Sequence, residues 1–515
     1  MKPDNTDSWQ ILKEQAKRIK NNQDFNQANR TLLLDFDGLK VDFTHQIFDK
    51  RVLANLVALA EETNLTKAIT NLVAGEQVNK SEKQSALHIG LRHSEVARET
   101  GQYDSVFDQL EKMVEVERSI SEGNRRGFTQ KPFTDIVQIG VGGSHLGSKF
   151  LIEALQEHRK GPVRIHFISN VDPNNFLETT KKLNPETTLF IVVSKSFKTI
   201  ETAVNFRSVR SWFSERTNKP QDFHKHVIAV TENVEAAKIL GIQKNSIFKI
   251  PKAVGGRYSV WSASSLAAII YLGSNTFHRF LKGAAKADQH FIDEKNKIKN
   301  IPIVSALFSI WNRNFLDSQS HALLVYNDKL KSLVDYIQQL EMESNGKSYT
   351  NENENLDYST SPIVWGGVGT NGQHSYHQLL HQGTNAFSAN FYLVADQGEE
   401  LLEHQEWLIA NALAQAKVLK HGNKVEEQSL NYKSLIGNHP SSTILLDKIT
   451  PETIGALLAL HEHKVFCEGA LWHINSFDQW GVEHGKNIAQ AIHAKIVTSR
   501  GESHRSFYDS YGEFI

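Results

Sequence analysis

From near residue 134, short β-branched runs and longer amphipathic segments follow one another in a repeated order. The first runs, each followed by a small polar loop, are TDIVQIGV, VRIHFIS, TLFIVVS and HVIAVTE. The same order resumes later with HALLVYN, SPIVWGGVG and NFYLVA. Strands that alternate with helices indicate parallel sheets joined by crossover helices. The sequence therefore predicts an α/β fold built from two such units.

The domain organisation follows from where this repeat begins, pauses and resumes. The first hundred or so residues carry apolar side chains at helical spacing, as in RVLANLVALAEE, and predict a helical lead-in. A seam between the two α/β units is predicted near residues 270–300. We expect a helical segment over 1–104 that packs on the larger domain, a smaller α/β domain over 105–275, and a larger one over 276–515 with a C-terminal helical arm.

Charge and cysteine content exclude several classes of function. Lysine and arginine total 57 and aspartate and glutamate 58 among 515 residues, which leaves a net charge of −1 and no electrostatic footprint for nucleic acid. The single cysteine, Cys467, cannot form an internal disulfide, and the charged N-terminus lacks the apolar run of a signal peptide. No apolar run reaches the roughly 18 residues of a membrane span. We expect a cytoplasmic protein without a nucleic-acid or membrane partner.

The first strand of the repeat runs into GGSHLGS and then into a helical segment. Gly142 and Gly143 allow a ligand to approach the backbone, Ser144 supplies a hydroxyl, and the helix start supplies free N–H groups. The glycine spacing matches neither the dinucleotide fingerprint nor the P-loop, which disfavours a nucleotide cofactor. The loop is either an anion cradle or a tight strand-to-helix turn.

The third strand of the repeat ends in a second polar loop, where Ser194, Lys195, Ser196 and Thr199 gather at the start of a helix. One hydroxyl suffices to cap a helix, whereas a phosphate clamp uses several. Two such loops in one α/β unit favour the clamp. A small phosphorylated metabolite bound at the carboxyl ends of parallel strands fits the usual place for ligands in open α/β sheets.

Four further residues are candidates for chemistry. Glu343 comes just past a helix and before Asn345-Gly346, where a carboxylate can serve as a general base, although such a glutamate is more often a solvated one. Arg257 follows two glycines and suits a developing oxyanion, with a structural ion pair as the alternative. His374 ends a loop with four glycines, and Lys486 follows a polar turn as a candidate acid or phosphate-side charge.

Two histidine pairs raise the question of a metal. His377 and His381 lie four residues apart, as in a metalloprotease helix, but Gln378 stands where the catalytic glutamate would be. We interpret them as surface or interface histidines. His461 and His463 read as neighbours near a helix end without an obvious carboxylate or thiol partner, so the sequence predicts no metal site.

Six motifs, in their order and spacing from about residue 85 to residue 486, resemble the glucose-6-phosphate isomerase (phosphoglucose isomerase) family: GVGGSHLG, SKSFKTIET, VGGRYSVWSAS, MESNGK, GTNGQH and SFDQWGVEHGK. The resemblance implies two sugar-isomerase (SIS), flavodoxin-like subdomains with parallel sheets flanked by helices, plus helical arms at both ends. It also implies a homodimer without cofactor or metal. The implied activity is the reversible interconversion of glucose 6-phosphate and fructose 6-phosphate, in glycolysis and gluconeogenesis.

The resemblance also implies roles for individual residues. Glu343 would be the base that moves a proton between carbons 1 and 2 through an enediolate, which Arg257 would stabilise. His374, lent by the neighbouring subunit, and Lys486 would handle ring opening. The sugar would be lined by Gln339 and Gln479. The phosphate would be held by Gly143, Ser144, Ser194, Lys195, Ser196 and Thr199.

Several positions depart from the pattern of the family without removing a proposed catalytic group. His145 and Ser148 stand where the family commonly has aspartate and proline, and the tail SRGESHRSFYDSYGEFI lacks the usual serine-rich ending. Ser196, Lys198 and His484 also differ from the usual residues.

Two alternative functions remain open at this stage. A non-catalytic sensor of sugar phosphates would need only the phosphate clamp, so the base, arginine and lysine argue against it. A metallohydrolase would use His377 and His381.

Overall fold

The computed structural model describes residues 2–21, 31–92, 104–197, 199–398 and 400–499. Two of the departures noted above, Lys198 and the tail from residue 500 onward, lie outside the described residues. The chain forms two compact units, one that ends at Ser476 and one that begins at Phe477.

The first unit contains every strand of the described residues. In chain order they are β1 (Leu33–Phe36), β2 (Leu39–Asp42), β3 (Asp135–Ile139), β4 (Arg164–Ile168), β5 (Thr188–Val193), β6 (Val227–Thr231), β7 (Ile247–Lys249), β8 (Ser320–Val325), β9 (Ile363–Val368), β10 (Phe387–Asp396) and β11 (Ser441–Lys448).

The α-helices of the described residues alternate with these strands from β3 onward. They are α1 (Asp7–Asn21), α2 (Lys50–Glu62), α3 (Leu65–Val73), α4 (Asp104–Ser121), α5 (Leu146–Ala154), α6 (Pro173–Thr180), α7 (Ile200–Arg216), α8 (Val234–Ile239), α9 (Leu266–Leu272), α10 (Ser274–Asp293), α11 (Ile301–Ile310), α12 (Leu333–Gln338), α13 (Gly369–Gln373), α14 (His377–Gln382), α15 (Leu402–His421), α16 (Pro451–Leu471) and α17 (Glu483–Ser499).

Strands β3 to β7 form a parallel five-stranded sheet in the order β4-β3-β5-β6-β7. The central strands β3, β5 and β6 are buried along their whole length, which explains why they read as continuous apolar runs. Helix α7 packs Phe206, Val209 and Phe213 into the core beneath this sheet. This order is the flavodoxin-like arrangement, in which β3 is the first strand and lies between the second and third.

The second sheet has six strands in the order β1-β2-β11-β10-β8-β9. Strands β11, β10, β8 and β9 run parallel to their neighbours, and β2 joins the edge of β11 in the antiparallel direction. Two sheets of parallel strands, each with helices in the connections, confirm the predicted α/β class.

The first hundred residues are not purely helical, so the predicted helical lead-in is wrong for residues 33–42. Strands β1 and β2 form a hairpin whose turn, Asp37-Gly38, has φ angles of 44° and 84°. An Asp-Gly turn between alternating apolar residues is a strong hairpin signal, and it was present in LLLDFDGLKVDF. Strand β11 was also missing from the sequence-based prediction.

A helix that is buried on nearly every side, α16, lies in the middle of the first unit and packs on α10 and α11. The contact with α10 is as close as two backbones allow. A Cβ atom on Gly455 would lie 2.0 Å from the carbonyl oxygen of Phe280, and one on Gly283 would lie 2.0 Å from that of Glu452. Glycine is therefore required on both helices at this crossing.

The predicted domain boundaries after residues 104 and 275 remain predictions. The predicted seam at 270–300 falls on α10 and the segment after it. Among the described residues, no helix is both long enough and apolar enough to span a membrane.

We predict that Gly455→Ala lowers the free energy of unfolding by at least about 1–3 kcal/mol, because the added methyl group forces α10 and α16 apart. Urea denaturation followed by circular dichroism measures this loss. Gly161→Ala is the matched control, since its Cβ would meet no atom within 4 Å. Equal stabilities for the two variants would contradict the close crossing.

Candidate active site

The two predicted anion loops lie side by side at one edge of the first sheet. Strands β3 and β5 pair in parallel with Ile139 opposite Val192, so the loops that follow them leave the same edge. The chain order reverses between these two strands, and open α/β sheets hold their ligands at such a switch point. The sheet thus confirms that the two loops are neighbours.

The first loop approaches the rest of the site too closely for any residue but glycine. Gly142 has a φ of +57°, and a Cβ on Gly143 would lie 2.2 Å from the carbonyl group of Gly256. Ser144 follows, half-buried, with its carbonyl oxygen held by Gln138 Nε2 at 2.7 Å. The loop is therefore fixed in place, and helix α5 begins two residues later at Leu146.

The two departures in this loop have structural roles. Ser148 is buried and donates a hydrogen bond to Gln138 Oε1 at 3.1 Å, which orients the amide that holds Ser144. The buried ring of His145 packs edge-on against Phe167, with 4.9 Å between centroids. Burial, with a smaller contribution from Lys149, lowers the pKa of His145 to about 4. His145 is therefore neutral at physiological pH.

The second loop has a hydrogen bond within its first residues and leads into the start of α7, which has no side-chain cap among the described residues. Ser194 Oγ accepts a hydrogen bond from the backbone of Phe197 at 3.1 Å, and Phe197 has a φ of +55°. Thr199 is the N-cap residue of α7, yet its side chain makes no capping hydrogen bond. Ser196 is exposed at the tip of the loop. Among the described residues, capping therefore does not account for the Thr199 hydroxyl, and the phosphate clamp remains a prediction.

Lys195 contributes a cation to this loop. Its ammonium group donates to the carbonyl oxygen of Lys252 at 2.7 Å. Burial lowers the pKa of Lys195 against the opposing attraction of Glu232 and Glu82.

Arg257 is a buried cation with a fixed orientation. It lies in the turn Gly256–Tyr258, is 3% exposed, and donates from Nε to Ser344 Oγ at 2.6 Å and from Nη2 to the carbonyl oxygen of Ser476 at 2.7 Å. The third nitrogen, Nη1, lies 3.6 Å from Glu343 Oε2. The arginine thus faces the carboxylate that the sequence singled out as a base.

Glu343 lies inside a π-helical turn, Gln339–Glu343, that continues α12. The expectation that it follows the end of a helix is therefore wrong. The carboxylate accepts a hydrogen bond from Gln339 Nε2 at 2.9 Å, and its side chain is 25% exposed. Wide helical turns of this kind occur frequently at functional sites.

The structure brings the first loop, Gln339, Glu343 and Arg257 together. A Cβ on Gly142 would lie 3.0 Å from Gln339 Nε2, and Ser259 Oγ donates to the carbonyl oxygen of Gly143 at 3.3 Å. The candidate active site is therefore lined by a carboxylate, a buried guanidinium and the glycine loop.

His374 lies on the surface at the end of α13, where its backbone donates to the carbonyl oxygen of Asn371 at 3.1 Å. The glycines before it serve packing. Cβ atoms on Gly366, Gly369 and Gly372 would lie within 2.3 Å of Leu323, Tyr326 and Tyr376, respectively. The glycine density that drew attention to His374 thus has a structural explanation.

Gln479 and Lys486 belong to the second unit. Gln479 precedes the turn Trp480–Val482, and Lys486 lies in the first turn of α17, where it pairs with Glu483 Oε1 at 2.6 Å. The contacts described above lie entirely within the first unit.

The histidine pairs are more buried than the sequence suggested. His377 is buried, and both it and His381 contact Gln415 Oε1, at 3.1 and 2.7 Å. His463 lies inside the buried helix α16 and has a carboxylate partner, Asp288 Oδ1, at 2.7 Å. Among the described residues, no three metal-ligating side chains come together.

Comparison with known proteins identifies the family. The family described as phosphoglucose isomerase matches residues 42–512. A glucose-6-phosphate isomerase of Shewanella sp. (strain ANA-3) is 40% identical over 513 residues, which cover 95% of this chain and 94% of that protein. One from Shewanella frigidimarina is 42% identical over 479 residues, with 89% and 88% covered. The chain belongs to the phosphoglucose isomerase family.

A solved structure extends this result to the whole fold. A glucose-6-phosphate isomerase from Chlamydia trachomatis is similar over 100% of both chains, with a TM-score of 0.85 and 30% identity. The SIS-type fold implied by the resemblance is thereby confirmed.

The residues that hold the arginine were missing from the sequence-based prediction. In this member of the phosphoglucose isomerase family, Ser344 and Ser476 accept its hydrogen bonds, and Tyr258 Oη lies 2.9 Å from Ser344 Oγ. Ser344 follows the candidate base in MESNGK and Ser476 lies in NSFDQWG, so both were inside motifs of interest. A backbone carbonyl as partner leaves no signal in a sequence.

We predict that His145 makes the protein sensitive to acid. Because the pKa of His145 is about 4 in the folded chain and about 6.5 in the unfolded one, only the unfolded chain gains the proton between these pH values. The free energy of unfolding therefore falls as the pH drops from about 6.5 to about 4, by up to about 1.4 kcal/mol per pH unit from this group. His145→Phe, compared with wild type by urea denaturation at pH 7 and pH 5, should reduce this loss. The same pH dependence in both proteins would contradict the prediction.

Proposed function

We propose that this chain interconverts glucose 6-phosphate and fructose 6-phosphate by moving a proton between carbons 1 and 2 through an enediolate. The observation that carries the proposal is the Glu343 carboxylate 3.6 Å from the buried Arg257 guanidinium, beside a glycine loop at the switch point of a parallel sheet. The family assignment supplies the substrates. This aldose–ketose isomerisation belongs to glycolysis and gluconeogenesis.

We propose that the two loops of the first sheet hold the phosphate. The starts of α5 and α7 present free N–H groups and a partial positive charge, and Lys195 adds a full charge. The bound phosphate is then far from the reacting carbons, and its binding energy orients the sugar. The proposed ligands are Gly143, Ser144, Ser194, Lys195, Ser196 and Thr199.

Glu343 acts as the base in this proposal. Its carboxylate removes the proton from carbon 2 of the open aldose, the electron pair forms the carbon–carbon double bond of the enediolate, and the carbonyl oxygen becomes negative. Arg257 faces that charge and stabilises it. The protonated Glu343 then returns the proton to carbon 1 while the hydroxyl proton on oxygen 2 passes to the negative oxygen 1, so that oxygen 2 becomes the carbonyl oxygen of the ketose. Atoms and electrons balance within the substrate, so the step requires no redox cofactor.

Ring opening comes before this step, and we propose His374 and Lys486 for it, with Gln339 and Gln479 lining the sugar. The exposed position of His374 supports a homodimer in which each subunit lends this histidine to its partner. We also propose a cytoplasmic location, because charged sugar phosphates are retained in that compartment.

We predict that Glu343→Gln lowers kcat by at least about 10²–10⁴-fold, since an amide cannot accept the proton. The dissociation constant of fructose 6-phosphate should change by less than about threefold, because the phosphate loops are intact. A coupled assay measures turnover and isothermal titration calorimetry measures binding. Glu61→Gln, a carboxylate that pairs with Lys297 on the surface, is the control. Unchanged turnover in Glu343→Gln would contradict the assignment of the base.

We predict that His374→Ala and Glu343→Gln each abolish most activity alone and restore it when mixed. In a random mixture of dimers with shared sites, about a quarter of the sites would combine an intact Glu343 with an intact His374 from the partner. Co-refolding equal amounts of the two variants and measuring turnover tests this arrangement. If His374 serves its own chain, the mixture stays as inactive as its components.

A further inference from the structure

Three charged side chains lie buried next to the candidate active site. Lys464 of α16 has its ammonium group 2.6 Å from Glu341 Oε2 and 2.8 Å from Glu468 Oε1. The side chains of Lys464, Glu341 and Glu468 are 8%, 1% and 0% exposed. Taking such charges out of water is costly, and apolar replacements of buried ion pairs are often as stable. Stability alone therefore does not explain this cluster.

One arm of the cluster reaches the candidate base. Glu341 is the central residue of the π-helical turn Gln339–Glu343. At its two ends, the side chains of Gln339 and Glu343 hydrogen-bond to each other, while Glu341 is held by Lys464. A wide turn is an uncommon backbone conformation that persists where its surroundings hold it. The ion pair with Lys464 fastens the middle of the turn whose end carries Glu343.

A second set of contacts connects the cluster to Arg257. Asn345 is fully buried and donates from Nδ2 to Glu468 Oε2 at 3.2 Å, and its Oδ1 accepts from Ser476 Oγ at 2.7 Å. The carbonyl oxygen of Ser476 in turn accepts from Arg257 Nη2 at 2.7 Å. A Cβ on Gly469 would lie 1.9 Å from Ser476 Oγ, so this chain of contacts is tightly packed.

We propose that Lys464 is a positioning residue for the isomerase reaction. It fixes the base Glu343 through Glu341. It fixes the cation Arg257 through Glu468, Asn345 and Ser476, so that the base and the cation keep their relative position. The inference rests on the proposed function. Lys464 touches neither group and acts only through the residues between them.

The electrostatics of the cluster are consistent with this role. Although burial works to lower the pKa of Lys464, attraction to Glu341 and Glu468 raises it above its ordinary value. Burial, followed by repulsion from Glu341, raises the pKa of Glu468. The lysine keeps its charge near neutral pH. Two neighbouring histidines, His321 and His461, have pKa values of about 3 because of burial and stay neutral.

The test is the double variant Lys464→Met/Glu341→Gln, which removes the ion pair without leaving Glu341 charged and unpaired. We expect kcat for fructose 6-phosphate to fall about 10–100-fold, as for a small displacement of reacting groups, while KM changes less than about threefold. The phosphate loops are on the first sheet and are not part of the cluster. Glu341→Gln alone, which keeps the shape of the side chain, should give a smaller loss in kcat.

Glu452→Gln is the matched control. It breaks another ion pair of α16, that of Glu452 with Arg279 at 2.7 Å, near the start of the helix and away from the π-helical turn. We expect a lower unfolding temperature with unchanged kcat. An equal kcat loss in this control would show that destabilisation alone lowers turnover and would overturn the proposal.

A folded double variant with wild-type kcat would also overturn the proposal. If the double variant does not fold, the Glu341→Gln variant is the test. A lower kcat at unchanged KM supports the proposal, and an unchanged kcat overturns it. If the wild-type chain itself fails to convert fructose 6-phosphate, the proposed function fails. A crystal structure of the Glu341→Gln variant then tests the positioning role separately: a longer separation of Glu343 and Arg257 supports it, and an unchanged one overturns it.

Discussion

The hydrogen bonds of Arg257 hold the parts of the candidate active site together. The residue follows the last strand of the first sheet, yet its donors are satisfied by Ser344 and by the carbonyl oxygen of Ser476, which belong to the second half of the chain. A buried guanidinium cannot remain unpaired without a large cost in free energy. These bonds therefore fix the glycine loop, the arginine and the π-helical turn of Glu343 in one arrangement.

The two sheets contribute different chemistry to that arrangement. The five-stranded sheet supplies loops whose backbone N–H groups and hydroxyls suit a dianionic group, at the edge where β3 and β5 end. In the proposed mechanism, the second half of the chain supplies the base, held in a helical turn and not in a loop. The proposed phosphate handle and the proposed proton-transfer centre thus lie on separate elements. We therefore expect that substitutions can weaken substrate binding and catalysis independently.

The sequence was most informative where one strand or loop determines its own structure. The buried strands β3, β5 and β6 were predicted because parallel strands covered on both faces are apolar throughout. The first loop, with Gly142 and Gly143, and the second loop, which begins at Ser194, were predicted because close backbone approach and helix starts need particular residues. The candidates Glu343, Gln339 and Arg257 lie next to one another, while their roles remain predictions from the family resemblance.

The sequence was least informative where partners distant along the chain decide the outcome. The β1–β2 hairpin joins a sheet whose other strands begin almost three hundred residues later, so only its turn could be predicted locally. His463 looked like a residue near the end of a helix, whereas it lies buried inside α16 with Asp288 as its partner. The pairing of Lys464 with Glu341 was not predicted at all. Such pairings depend on tertiary contacts that no local pattern encodes.

The fate of the transferred hydrogen distinguishes proton transfer through Glu343 from direct transfer between the two carbons. Fructose 6-phosphate would be converted by the wild-type chain in D₂O, and the glucose 6-phosphate formed would be examined by NMR for deuterium at carbon 2. Because the Glu343 side chain is 25% exposed, the proton that it carries can exchange with solvent before it is returned. We predict deuterium at carbon 2. If none is found there after the two sugars have interconverted many times at equilibrium, the hydrogen passes directly between the carbons and the proposed role of Glu343 is wrong.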